Sequence, residues 1–519
     1  MTTFSCDSSF VYSYSVVEDP TPILPALYPT TYIAPSGSTI VVGDGGDFQA
    51  ALNSATPGDI ITLNAGSTYS GHFSLPAKGG TDYIHIRSSA ALTTEGTRVT
   101  SGQLASFPKI LTPDTAATIQ AAAGASYYRI INCDIKSGTT AVNGYLIGLG
   151  TGAETNATNF PHHIIIDRCG VRGSVTNGGR RGVMFAGSYQ AVIDSYLSEW
   201  KEVGADTQAI ACWTGYGPYK IVNNYLEGAG ENVMFGGADT AISGLTPSDI
   251  EIRGNYFFKP LTWKADDPSY LGTLWAVKNL LELKHAKRVL ITDNEFENCW
   301  TQGQSGNGIL FTLLNQSGTN PWATVEDITY TYNTLHNVVE GMRLSAHDSN
   351  GQVSEQSKRV LIYRNLFYDI SSMLFIIGNG YRDLNIDHNT ANNVNGNSSS
   401  FVSATGAVVQ ERFRFTNNIL SHNRYGLFGD NFGVGNASLN HYFPNAVFLK
   451  NAIVMDATYN IDGHVSGEYP VGNFFPNTMA DVGFVTLAGN ADLRLAPESI
   501  YKNAGTDGTD LGANKETPV

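Results

Sequence analysis

The sequence predicts an all-β fold: a single-stranded right-handed parallel β-helix with an N-terminal capping helix. Three observations predict it. A short step recurs with no helical pattern between its copies, the composition favours strands, and the two ends read as closing segments rather than repeats.

The recurring step is a pair or more of alternating apolar residues, then Asn, any residue and an apolar residue. It occurs at Asn224-Tyr-Leu, Asn255-Tyr-Phe, Asn294-Glu-Phe, Asn333-Thr-Leu, Asn365-Leu-Phe, Asn389-Thr-Ala, Asn418-Ile-Leu and Asn451-Ala-Ile. Upstream, Cys133, Cys169 and Ser195 take the Asn place. Spacings run from 24 to 39 residues. A βαβ array would fill such intervals with amphipathic helices of roughly 10–15 residues. Here they hold second strand-like pieces: Gly182-Val-Met-Phe, Asn232-Val-Met-Phe, Asn279-Leu-Leu-Glu-Leu, Gly308-Ile-Leu-Phe and Gly341-Met-Arg-Leu. Two or three short strands per turn, stacked about 4.8 Å apart, make a parallel coil. The crossover rule makes it right-handed. Such a coil is one long domain, which overrides the several domains that length alone suggests. The Asn column has a structural explanation: Asn tolerates a left-handed bend, and its amide bonds its neighbour one rung away. Cys133 and Cys169 fall in this column on consecutive coils and read as buried thiols, with a disulfide as the alternative.

Composition agrees. Of 519 residues 42% are apolar, 15% are charged and 55 are Gly, against about 25% charged in an average domain. The net charge of −15 disfavours a general nucleic-acid or anionic-membrane surface, since both need a basic footprint. No apolar run approaches the roughly 18 residues of a membrane span. The opening stretch, MTTFSCDSSFVYSYSVVEDP, has neither a basic start nor a long apolar segment, so no secretory leader is read in it. Five Cys without CxxC spacing suggest neither a disulfide scaffold nor a cysteine zinc site.

The ends follow. Residues 1–38, with Pro20, Pro22, Pro25, Pro29 and Pro35, read as an extended arm. Residues 39–519 form the β-helix domain, with 39–63 as cap and first strand. In that cap Asp47 is the N-cap of a short helix beginning at Phe48. Residues 480–519 read as terminal coils.

The Asp47-Phe-Gln-Ala-Ala-Leu start, the Asn-x-apolar coils and the Asn503-Ala-Gly-Thr-Asp-Gly-Thr-Asp-Leu-Gly finish resemble the pectate-lyase-like superfamily of right-handed parallel β-helices over roughly residues 38–515. The blocks Gly230-Glu-Asn-Val-Met-Phe-Gly-Gly-Ala-Asp and Lys278-Asn-Leu-Leu-Glu-Leu-Lys are most similar to bacterial secreted β-helix proteins. The resemblance implies a secreted, polysaccharide-directed protein: a lyase, a hydrolase, an esterase or a phage tailspike. No Asp-Asp pair of the polygalacturonase type and no Arg-centred pectate lyase motif is present, so no catalytic residue is carried over.

Candidate site residues come instead from strand alternation. All six Trp lie between residues 200 and 322, and aromatic planes bind sugar faces. Taking Lys278-Asn-Leu-Leu-Glu-Leu-Lys as a strand turns Leu281 and Leu283 inward and Glu282 and Lys284 outward. Aligning the equivalent strands places Met234, Glu282, Leu310 and Arg343 in one outward stack, preceded by a row of Arg180, Glu231, Lys278, Asn307 and Glu340. The expected catalytic groups are Glu231, Glu282, Lys284 and Arg343; the expected substrate contacts are Trp263, Trp275, Lys278, Trp300, Trp322 and His347. Asp239, across a Gly-Gly turn from Glu231, is the expected metal ligand, for Ca²⁺.

Two chemistries suit this stripe. A lyase needs a cation on the uronate carboxylate and a base for the C5 proton. A hydrolase needs two carboxylates flanking the bond. The leading expectation is a secreted lyase cleaving a uronic-acid polysaccharide by β-elimination. The alternatives are a glycoside hydrolase and a non-catalytic glycan-binding or tailspike-like protein. The expected partner is the polysaccharide, with no nucleic acid and no membrane insertion; the sequence leaves the oligomeric state open.

Overall fold

The computed structural model describes residues 20–392 and 399–515. Within them the chain coils through three long parallel sheets. Sheet A has fourteen strands, from Thr39–Val42 to Val447–Leu449; sheet B has thirteen, from Thr68–Ser70 to Ala452–Val454; sheet C has twelve, from Phe73–Leu75 to Gly426–Gly429. From Ile60–Leu63 to Ala452–Val454 successive strands visit A, B and C in turn, so neighbours within a sheet are three steps apart and pair in parallel; the first strand, Thr39–Val42, pairs directly with the second. This is a parallel β-helix. Inward side chains stack rung on rung: Val233, Leu281, Ile309, Met342 and Phe375 are in register on sheet C and join one continuous core.

The bend from sheet A to sheet B explains the Asn repeat. Asn294 Oδ1 accepts the Asn255 backbone N–H at 2.9 Å and Asn255 Nδ2 at 3.0 Å. Its own Nδ2 donates to Ile252 O at 2.9 Å and to Asn333 Oδ1 at 3.0 Å. The same pattern runs from Asn224 to Asn473. These amides pair backbone groups that water cannot reach. One detail differs from expectation. The left-handed residue is not the ladder Asn but the one before it, with φ of 55° at Asp293, 54° at Tyr332 and 53° at Arg364. That twist turns the corner and leaves the Asn side chain aimed inward. Cys133 and Cys169 are buried free thiols.

At the N-terminal end the helix Phe48–Ser54 is capped by Asp47 Oδ1, which accepts the Ala50 N–H at 2.9 Å. Phe48 packs on Phe73, ring centroids 4.7 Å apart. The described part of the arm has no regular structure and runs along the outside of sheet A. Gly37 N donates to Gly58 O, Arg129 donates to the carbonyls of Thr30 and Thr31, Ala26 N donates to Asp249 Oδ1 and Ile23 N to Asp327 Oδ1. Residues 1–19 lie outside the described residues.

The expectation of terminal coils over 480–519 is corrected. Phe484–Thr486 and Asp492–Leu495 pair antiparallel; the last strand of sheet B is Ala452–Val454, on which Phe474 adds one further parallel bridge. The chain then folds back over sheet B, where Leu366, Leu493 and Ala513 pack together. Left-handed Gly483 and Gly508, φ 77° and 78°, turn it out of the coil path. Residues 516–519 lie outside the described residues. Among the described residues no helix is long and apolar enough to cross a membrane.

Candidate active site

The outer face of sheet C carries the expected stripe. Strand register aligns Met234, Glu282, Leu310 and Arg343, as period-2 alternation requires. Ile376 and Ser403 extend the column. The row preceding it sits one residue away from the expected alignment: Arg181, Gln208, Glu231 and Asn279 are in register, so Arg180 and Lys278 fall just outside.

These residues line or underlie an open cleft of about 540 Å³, bordered by Glu282, Lys284, Gln304, Asn307, Arg343 and Asn379 among others. Lys284 Nζ lies 3.4 Å from Glu282 Oε2. Arg343 is half-buried, 3.3 Å from Glu340 Oε2, which also accepts from Asn307 Nδ2 at 2.6 Å. The cleft therefore presents one ammonium and one guanidinium from rungs two apart, interleaved with carboxylates and amides. Cations so placed suit an anionic ligand, and the guanidinium fork suits a carboxylate.

Glu231 behaves differently. Its carboxyl is fully buried. Oε2 accepts from Gln208 Nε2 at 2.5 Å, while Oε1 has no hydrogen bond and lies 3.6 Å from Lys278 Nζ. Burial, and then the Glu282 carboxylate, push Glu231 up to about 7 from the usual 4.5. Burial works to lower Lys278, but Glu231 and Asp206, the latter 2.6 Å away, more than offset it and hold it above its ordinary value. Lys278 is thus a strut between Asp206 and Glu231 behind the cleft wall. Another buried cation shapes this corner: Lys259 Nζ donates to the carbonyls of Gly228, Ala229 and Gly230 and to Asn232 Oδ1. It ties down the turn that delivers Glu231, and burial lowers it to about 8. Asp206, Gln208 and Lys259 escaped the sequence reading. Gln208 was recoverable from the register; the other two approach from a loop and a neighbouring sheet.

Several expected contacts lie elsewhere. Trp263, Trp275 and Trp300 are 3–7% exposed and pack together with Ala229 and Val277. The Lys201 ammonium sits 5.3 Å from the Trp263 ring centroid and 5.0 Å from that of Trp275. The faces of Trp263 and Trp275 are thus occupied from within the protein and Trp300 is buried with them, which corrects the placement of all three as sugar platforms. Trp322 is half-buried and donates to Leu245 O. His347 lies beyond the strand Glu340–Ser345 and does not line the cleft.

The Ca²⁺ ligand assignment is also corrected. Asp239 Oδ2 accepts from Ser317 N, Thr319 N and Thr319 Oγ1 at 2.7–3.1 Å, tying two loops together. Glu231 opens the strand Glu231–Phe235 and Asp239 follows its far end. A five-residue strand spans roughly 13 Å, too far for one ion.

No family model matches the chain, and no curated protein matches it. Among solved structures it is similar to a mannuronic acid specific polysaccharide family 6 lyase from human gut microbiota, at 13% identity and TM-score 0.47, over 85% of this chain and 91% of that one. It is similar also to an alginate lyase from Paenibacillus, at 12% identity and TM-score 0.28, over 85% and 98%. Pectate lyase Pel9A follows at 13% identity and TM-score 0.29, over 93% and 97%. The assignment of this chain as a parallel β-helix rests on its own strand register.

Proposed function

We propose that the chain is a secreted polysaccharide-active protein whose sheet C cleft binds a uronic-acid polymer and cleaves it by β-elimination. The observation that carries the reading is the presence of Lys284 and Arg343 in one open cleft, two rungs apart. In this reading Arg343 binds the uronate carboxylate, which eases loss of the C5 proton. Lys284 is the base that takes that proton, and Glu282 holds the Lys284 side chain in place. The freed electron pair forms the C4–C5 double bond as the C4–O bond breaks, and the leaving oxygen takes up the proton that Lys284 removed, directly or through water. The polymer is unassigned beyond its uronate content.

Ca²⁺ has no step in this reading. The oxygen donors suited to it near the cleft are Gln208 Oε1, Glu231 Oε1 and Asn279 Oδ1, which are buried without hydrogen-bond partners. The Lys278 ammonium already stands beside Glu231.

A hydrolase reading draws on Glu231, whose raised pKa suits a general acid. Its complete burial argues against it, because a general acid must reach the glycosidic oxygen.

The test is a panel of uronate and neutral polysaccharides, read both by ultraviolet absorbance of an unsaturated product and by new reducing ends. Absorbance gained with reducing ends supports the lyase. Reducing ends alone would favour the hydrolase, and binding without either a tailspike-like role. Arg343→Ala and Lys284→Ala should each lower the rate by about 100-fold or more, the usual scale for a positioned acid–base group.

A further inference from the structure

On the outer face of sheet B, two adjacent strands set four polar side chains at the corners of a small rectangle. Glu295 and Glu297 lie on Glu295–Cys299; Thr334 and His336 lie on Thr334–Val338. Register pairs Glu295 with Thr334 and Glu297 with His336. The intervening Phe296 and Leu335 belong to the core, so alternation turns all four polar residues outward. The rectangle measures about 4.8 Å across rungs and about 6.6 Å along the strand.

The side chains converge above it. One ligand atom each from Glu295, Glu297 and His336 lies within 4.8 Å of the others. His336 Nε2 is 3.2 Å from Glu295 Oε1. Two ligands held about 2.0–2.1 Å from one ion at a tetrahedral angle would stand about 3.3 Å apart. Neighbours fix these groups. The Tyr256 phenol donates to Glu297 Oε2, and the Tyr368 ring stacks on His336 at 4.8 Å with planes 16° apart. Such outer supports commonly orient metal ligands. A second, independent observation comes from Thr334. It is fully buried on this face, directly opposite Glu295, and its hydroxyl has no hydrogen-bond partner.

An ordinary His–carboxylate pair would account for the 3.2 Å contact alone. It would leave unexplained the orphaned Thr334 hydroxyl, and it makes no use of Glu297, which Tyr256 holds toward the same point. Two cations approach Glu295 from flanking segments, but both are engaged elsewhere. Arg98 donates to the carbonyls of Asn223 and Gly254, and Lys515 to that of Tyr332.

We propose that Glu295, Glu297 and His336, with Thr334 in register opposite Glu295, bind one divalent transition ion of the Zn²⁺ class. One imidazole nitrogen with two carboxylates suits Zn²⁺ or Co²⁺, whereas Ca²⁺ takes six to eight oxygens. The site lies on a different sheet from the cleft and is independent of the reading given there.

The test uses the whole chain, stripped with chelator and dialysed against Zn²⁺, with Co²⁺ as the spectroscopic probe. The expected result is one Zn²⁺ per chain and a Co²⁺ visible spectrum of low-coordinate type. Affinity should fall at least tenfold in both His336→Ala and Glu297→Gln, with circular dichroism unchanged. Glu297→Gln is near-isosteric and keeps the test valid should His336→Ala fail to fold. The proposal is overturned if no stoichiometric Zn²⁺ is taken up. It is equally overturned if uptake survives undiminished in the folded variants, which would place the ion at other histidines.

Discussion

Glu231→Gln exposes the electrostatics of the cleft wall most directly. In the unfolded chain this carboxyl titrates near 4.5, in the fold near 7. Between those values the native state holds a proton that the unfolded state has lost. The native state therefore binds more protons, and stability falls as pH rises through the window. The rise from 4.5 to about 7 is worth about 3 kcal/mol, at about 1.4 kcal/mol per tenfold change in proton affinity. That cost is under about 1 kcal/mol at pH 5 and nearly complete at pH 8. A glutamine keeps the shape and does not titrate. The variant should thus match the parent near pH 5 and exceed it by up to about 3 kcal/mol near pH 8. The gain is reduced by whatever Lys278 loses, although Asp206 still faces Lys278 at 2.6 Å. Glu282 and Lys284 also act on Glu231 and are unchanged by the substitution. Glu227, likewise pushed up to about 7 by burial, titrates in both proteins and cancels from the difference. Guanidinium denaturation followed by tryptophan fluorescence at the two pH values measures it. An identical difference at both would refute the neutral, desolvated carboxyl on which the argument rests.

Asn294→Ala should cost about 2–6 kcal/mol, because it strands two buried donors of Asn255 at about 1–3 kcal/mol each. Hydrogen exchange around residue 255 should rise, while Asn477→Ala, at an exposed position, should change neither measurement; equal behaviour of the two variants would deny the ladder its role. In a Cys6→Ser background, a thiol reagent should leave Cys133 and Cys169 unmodified until denaturant is added, and reductant should not alter stability; native labelling or reductant sensitivity contradicts the buried-thiol assignment. Trp300→Ala should destabilise by about 3–5 kcal/mol, as large-to-small core changes do, while leaving the glycan affinity of the folded fraction intact. A selective loss of affinity would return this residue to the binding surface. Phe48→Ala should destabilise the N-terminal coils first, seen as faster exchange in the strands Ile60–Leu63 and Phe73–Leu75, if the helix Phe48–Ser54 seals that end of the core; unchanged exchange there would remove its capping role.

Much of the cleft was legible because a β-coil converts sequence spacing into position. Glu282 and Arg343 are 61 residues apart, yet alternation and the repeat set them two rungs apart in one column, where the register puts them. The same logic slipped by one residue at Lys278, because the strand begins at Asn279 and parity is lost where a strand ends. The Trp cluster misled for another reason. Crowding in sequence marks a place where large rings collect, but whether they face solvent or one another depends on what packs over them. Here that is Lys201, a residue some 60 positions or more from Trp263 and Trp275.

While the choice of free thiols over a disulfide at Cys133 and Cys169 came from the structure, the chain alone determined its parallel coil, the Asn ladder and the outward stack through Glu282 and Arg343. Each depends on residues at fixed offsets within a repeat, and periodicity is a local property. Only the folded molecule decided which charges meet across loops and sheets: Asp206 on Lys278, Lys259 beneath the turn before Glu231, Asp239 locked by Ser317 and Thr319, and His336 beside Glu295. Those contacts depend on irregular loop lengths and on burial, which set the strength of every charge interaction and which no repeat encodes.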